Sequence, residues 1–207
     1  RMVQSPAGST ALAPAQNPAL STKTPELALK EDPKTPDITI AGWVQQNVTS
    51  DPRALAWFDS AECEPRIRRA YKDLLSGYDV DPASVLKTTR TLKDHEPRGV
   101  VTVSDITFFS ICAHHFLPLF GHASLSYLPG TRILGLGKLP RLVDALARRF
   151  VIQEDLTAQL AETLLTAGEA RGVRVVTEAR HLCMCGRGPA QPGASTRVEI
   201  ALGEPLA

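Results

Sequence analysis

The chain has 207 residues, room for one domain of moderate size or a domain with a tail. Its 43% hydrophobic and 22% charged residues are ordinary for a soluble globular protein, and 23 basic against 22 acidic side chains leave a formal net charge of +1. That balance excludes broad electrostatic binding of nucleic acid or of an anionic membrane surface, while leaving space for a small basic pocket. No apolar run approaches the roughly 18 residues that span a bilayer.

Arg1-Met2 reads as an expression remnant, and no apolar signal-peptide core follows it. Residues 1–36 are rich in Pro, Ala, Ser and Thr without periodicity, which predicts a disordered tail; a tail folded onto a partner subunit is the other reading. Residues 37–62 carry short helical signals at Trp43-Val44, Leu55 and Trp57-Phe58, with Asp37 as a first cap. Over Glu64–Leu75, Ile67, Ala70, Tyr71, Leu74 and Leu75 recur at helical spacing, and Ser76-Gly77 ends that helix.

Val100–Val103 and Ile106–Ile111 turn β-like. His122–Leu128 and Arg132–Leu136, joined by Pro129-Gly130-Thr131, predict a hairpin. Two amphipathic helices follow. The first carries Leu139, Leu142, Val143, Leu146 and Phe150, with Pro140 tolerated in its opening turn; the second carries Leu156, Leu160 and Leu164 and stops at Gly168. Val173–Met184 and Thr196–Leu202 alternate as strands around a Gly/Pro-rich loop. Antiparallel strands with helices on one face make an α+β fold.

Four cysteines, Cys63, Cys112, Cys183 and Cys185, are too sparse for a disulfide scaffold. Three of them stand near histidines, which fits a thiolate site in a reducing, cytoplasmic compartment. Cys112-x-x-His115 is a chelating spacing where the chain bends, and in "ARHLCMCGRG" a strand would put His181, Cys183 and Cys185 on one face. Zinc favours such nitrogen and sulfur donors, and a catalytic zinc keeps one position open. Core thiols and satisfied histidines are the plainer reading of each residue taken singly. Gly137-Lys138 opens a helix with Arg141 one turn on, and free N–H groups beside cations attract phosphate. Arg187 follows the second cysteine cluster, and Gln153-Glu154 opens the second helix, where carboxylates are favoured in any case.

The segments "ICAHHFLP", "GLGKLPRLVDALARR", "VIQEDLTAQL" and "EARHLCMCGRG", in that order, resemble GTP cyclohydrolase I, and "EPRIRRAYKDLLSGYD" resembles the helix before that family's core. The resemblance covers roughly Glu64 to Gly203, so residues 63–207 are expected to be the catalytic domain. It implies a tunnelling fold in a homodecamer, a multi-subunit barrel with active sites between subunits. It also implies Zn2+ on Cys112, His115 and Cys183, His114 as the acid–base residue, and His181 as a second imidazole at the reacting ring. Glu154, Gln153 and the backbone at Ile152 would grip the guanine edge, because its adjacent donors suit a carboxylate. Lys138, Arg141 and Arg187 would hold the triphosphate, with Arg66 arriving from a neighbouring subunit. The implied reaction opens the imidazole ring of GTP hydrolytically, releases formate, and closes a pterin ring to give 7,8-dihydroneopterin triphosphate.

The chain departs from the family at three of these places. Ala113 stands where the family usually has Glu, Gly137 where it has Ser, and Asp155 where it has Arg. Cys185 is an additional thiol, read first as a packing residue. These changes admit a diverged paralogue acting on GTP or a related purine with a different product. A silent member keeping zinc as a clamp is disfavoured by His114, and a nitrile reductase of the same broad fold by the lack of a nicotinamide fingerprint.

Overall fold

The computed structural model describes residues 39–58, 61–87 and 89–206; the expected tail and the Asp37 cap lie outside them. Thr39 caps the first helix instead, its Oγ1 accepting from the Gly42 N–H at 3.1 Å at the start of α1 (Ile40–Asn47). A short α2 (Pro52–Leu55) begins at Asp51, whose carboxylate accepts from the Arg53 N–H at 2.9 Å. The expected amphipathic helix is α3 (Cys63–Leu74), followed by a 3-10 turn (Ser76–Asp79) and α4 (Pro82–Val85). Gly77 lets that turn sit on the helix below it. A Cβ there would stand 2.3 Å from the Ala145 carbonyl oxygen.

A five-stranded sheet holds the centre, in the order β5 (Phe150–Val151), β2 (Val101–Cys112), β3 (Pro118–Pro129), β6 (Ala170–His181), β7 (Thr196–Gly203). All its pairings are antiparallel except the short β2–β5 contact, which is parallel. The two β-like stretches near residues 100 and 111 are one strand with a bulge between Val103 and Ile106, where Asp105 takes φ 55°. The bulge changes parity. Ile106 and Phe108 therefore face the core, and Phe109 faces out.

Two helices cover the inner face, α5 (Lys138–Ala147) and α6 (Gln153–Thr166). Leu139, Leu142, Val143 and Leu146 of α5 and Leu156, Leu160 and Leu164 of α6 pack into one core with Leu125, Tyr127, Val173 and Val175 of the sheet. Each such side chain contributes about 1.5–3 kcal/mol when fully buried. The opposite face carries Phe109 and Phe120, stacked at 6.5 Å and 39% exposed. The α+β class with helices on one face is as the periodicities indicate.

Three local expectations need correction. Phe150, expected on the stripe of the first amphipathic helix, lies in β5, because α5 ends at Ala147. Residues 122–136 do not form a hairpin with each other. Both edges of β3 are taken by β2 and β6, so β4 (Arg132–Leu134) pairs with β1 (Thr89–Thr91) in a separate two-stranded sheet. The strand expected to reach Met184 ends at His181, and α7 (Leu182–Cys185) is a single helical turn closed by the Gly186 N–H on the Leu182 carbonyl at 2.9 Å. No helix among the described residues is long and apolar enough to cross a membrane.

Candidate active site

The "ICAHHFLP" stretch is the connection between β2 and β3. Cys112 is the last residue of β2, and the chain bends at once: the Phe116 N–H donates to the Cys112 carbonyl at 2.9 Å, and the Cys112 N–H to the Leu117 carbonyl at 2.8 Å. Phe116 takes φ 58°, a strained value for a bulky residue. Its ring is held between Tyr71 of α3 at 5.3 Å and Phe150 of β5 at 4.6 Å. The bend brings His115 back over Cys112, with Nδ1 3.8 Å from Sγ, as a straight strand could not.

The helical turn of α7 brings the third member. Sγ of Cys112, a ring nitrogen of His115 and Sγ of Cys183 all lie within 4.8 Å of one another. Both thiols are buried and the imidazole is exposed. Cys185 does not join this group. Two residues along a helix is a rotation of about 200°, so the face expected for a strand does not exist here. Burial, together with neighbouring Cys112, pushes the Cys183 thiol up, against a smaller pull from Arg187. Two sulfurs and one nitrogen at this separation suit a soft or borderline cation, which would hold both thiols as thiolates and leave a fourth position for water.

His114 is not one of this set; its ring is 6.1 Å from that of His115 and edge-on to it. It is exposed. His181, the last residue of β6, lies opposite Leu119, just past the β2–β3 connection. Its Nε2 is 2.8 Å from Gln153 Oε1. Burial lowers its pKa, and the nearby Glu154 carboxylate partly opposes this.

β5 carries α6 to the site. Cys112 pairs with Val151, the Ala113 N–H donates to the Val151 carbonyl at 3.0 Å, and Ile152 precedes the first turn of α6. Glu154 stands exposed on that turn. Gln153 is different. Expected beside Glu154 at the substrate, its side chain is 1% exposed and turned inward, donating to Thr177 and Thr196. Ala113 and Asp155, two of the departures, line one hollow of about 270 Å³ with Ile152 and Arg149.

Lys138 is half-exposed, and Arg141, Arg187 and Arg66 are exposed; none has an ion-pair partner among the described residues. The expectation of free N–H groups at the start of α5 is overturned. The Lys138 and Leu139 N–H groups donate to the Gly135 and Leu136 carbonyls at 2.8 and 3.3 Å, and the next residue, Pro140, has none to give. Arg141 lines a separate hollow with Gly77 and Asp144, and no hydrogen bond or ion pair joins it or Lys138 to the Cys–His group.

A profile of GTP cyclohydrolase I matches residues 59–205. The chain belongs to the GTP cyclohydrolase I family. GTP cyclohydrolase 1 of Streptomyces griseus subsp. griseus is 46% identical over 145 residues, 69% of this chain and 71% of that one. The enzymes of Allorhizobium ampelinum and Mycobacteroides abscessus are 44% and 42% identical, over 67% and 70% of this chain and 69% and 70% of theirs. The chain is thus a GTP cyclohydrolase I-like hydrolase. The four motifs and the Cys–His group all fall inside the matched region.

Proposed function

We propose that the protein opens the imidazole ring of the guanine base of GTP by hydrolysis, releases formate, and yields 7,8-dihydroneopterin triphosphate. The observation that carries this is the meeting of Cys112, His115 and Cys183, from two distant segments, within 4.8 Å. These residues hold Zn2+, which when bound lowers the pKa of a water so that hydroxide is available near neutral pH. Cys112 and Cys183 fix the cation from the buried side and His115 from the open side. His114 moves protons to and from the opening ring. His181 is the second imidazole, at the edge of the same site.

Glu154 accepts from the guanine N1–H and amino group, and the backbone at Ile152 completes that edge. Gln153 contributes by holding His181. Lys138, Arg141 and Arg187 hold the triphosphate through their side chains, since α5 offers no open N–H at its first three residues. Arg66 reaches the site from a neighbouring subunit of a homodecamer built as a tunnelling-fold barrel. Residues 63–207 form the catalytic domain of a cytoplasmic enzyme.

A second reading, a paralogue making a different product from GTP or a related purine, is favoured by one observation. Ala113 and Asp155, both departures from the family, share one hollow with Ile152, so two changes of charge fall together beside the backbone assigned to the guanine edge. One experiment separates the readings. The purified zinc-loaded protein is incubated with GTP and with close purine analogues, and the products are read by mass spectrometry. Formate with dihydroneopterin triphosphate from GTP supports the first reading, another product or a preferred analogue the second. Failure to open any guanine nucleotide rejects both.

A further inference from the structure

Behind His181 lies a set of buried polar groups whose donors and acceptors allow one orientation of the Gln153 amide. Gln153 is 1% exposed, and Thr157 and Thr177 are fully buried. One end of the Gln153 amide faces two backbone carbonyls, Thr177 O at 3.2 Å and Thr196 O at 3.0 Å, and the Thr177 hydroxyl at 3.0 Å. Carbonyls only accept, so that end must be the NH2 group, and the flipped amide is excluded. Oε1 is then the atom 2.8 Å from His181 Nε2. An amide oxygen only accepts, so Nε2 must carry a hydrogen.

The hydroxyls obey the same counting. Thr157 Oγ1 donates its single proton to the Gln153 carbonyl at 2.8 Å, so across the 2.7 Å contact with Thr177 Oγ1 it accepts. Thr177 therefore spends its proton on Thr157, and its Oγ1 shares the two Gln153 amide hydrogens with the two carbonyls. No member can turn over without setting two acceptors against each other in the interior. Nδ1 of His181 makes no hydrogen bond among the described residues.

We propose that Gln153, Thr157 and Thr177 are positioning residues that hold His181 as the tautomer with its proton on Nε2, leaving the Nδ1 lone pair as the one atom available for proton exchange. Gln153 thus acts through His181 rather than by reading the base. That the Nδ1 edge serves the opening purine rests on the function proposed above; the tautomer itself does not.

The test is 15N magic-angle-spinning NMR of sedimented protein with labelled histidine, zinc-loaded and metal-free, above the imidazole titration range. With five histidines in the chain, His181 is assigned by the signal lost in His181→Asn. The expected spectrum has a protonated Nε2 and a bare Nδ1. The opposite tautomer, or an even mixture, overturns the proposal, and this measurement needs no network variant to fold. In Gln153→Met the acceptor is gone, so the tautomers mix and kcat falls roughly tenfold to a hundredfold at unchanged metal content. A Gln153→Met protein with wild-type tautomer and kcat would also defeat the idea. If the expected spectrum is found but GTP is not opened, the functional reading has failed and the positioning network stands.

Discussion

At the scale of single residues, neighbouring imidazoles part company. His115 belongs to the donor group and His114 does not, so their alanine variants should fail differently. His114→Ala should keep its metal by elemental analysis and lose turnover by about 100- to 10,000-fold, the usual worth of a proton-transfer group. His115→Ala should lose metal first. Loss of metal from His114→Ala would reverse the assignment. Much at this scale was legible in the chain itself. Cys112 and His115 are three apart, a spacing that chelates wherever the chain bends, and the run of Cys and His near residue 183 supplies the rest. The role of Gln153 was not legible, because Thr177 and Thr196 define it, and they lie 24 and 43 residues away. A glutamine beside a glutamate at a helix start looks like a second substrate contact until those partners are seen.

At the scale of elements, the long periodic segments were readable and the short ones were not. α5, α6 and β6 carry enough turns or alternations to announce themselves, whereas β1 and β5 have three and two residues and no pattern to read. The misplaced hairpin has the same origin: Pro-Gly marks a turn, but not which strand's edge remains free. The end of β6 at His181 mattered most, since one helical turn in place of three more strand residues carries Cys183 to Cys112. The start of α5 gives a prediction. Its N–H groups are spoken for, so triphosphate affinity rests on the side chains. Lys138→Ala and Arg141→Ala should each weaken GTP binding roughly tenfold to a hundredfold, the worth of a hydrogen bond to a charged group. Calorimetry with GTP at rising salt checks this; an affinity unmoved by either change would remove that helix from the phosphate site.

At the scale of the whole molecule, alkaline stability and subunit cooperation are both open to test. Burial holds the Tyr127 phenol above its usual pKa, with the hydrogen bond from the Leu134 N–H pulling partly the other way. Above about pH 10 the unfolded chain releases this proton while the folded chain keeps it, so folding stability falls as pH rises toward the folded value. Tyr127→Phe should flatten that loss in denaturant titrations, yet cost about 1–3 kcal/mol at neutral pH by stranding the Leu134 N–H. Equal alkaline slopes would discount the phenol. The proposed shared sites predict complementation. Arg66→Ala and His114→Ala subunits, inactive apart, should regain turnover when refolded together, and a mixture that stays inactive would argue that each chain works alone. β3 has a further consequence for how such a chain can change its length. It is paired along both edges, with Leu119 opposite both Ser110 and His181, so one added or deleted residue within it would invert its faces and slide two donor-bearing segments past each other. Length drift should therefore collect in the stretches around residues 92–100 and 186–195, while β3 keeps its count.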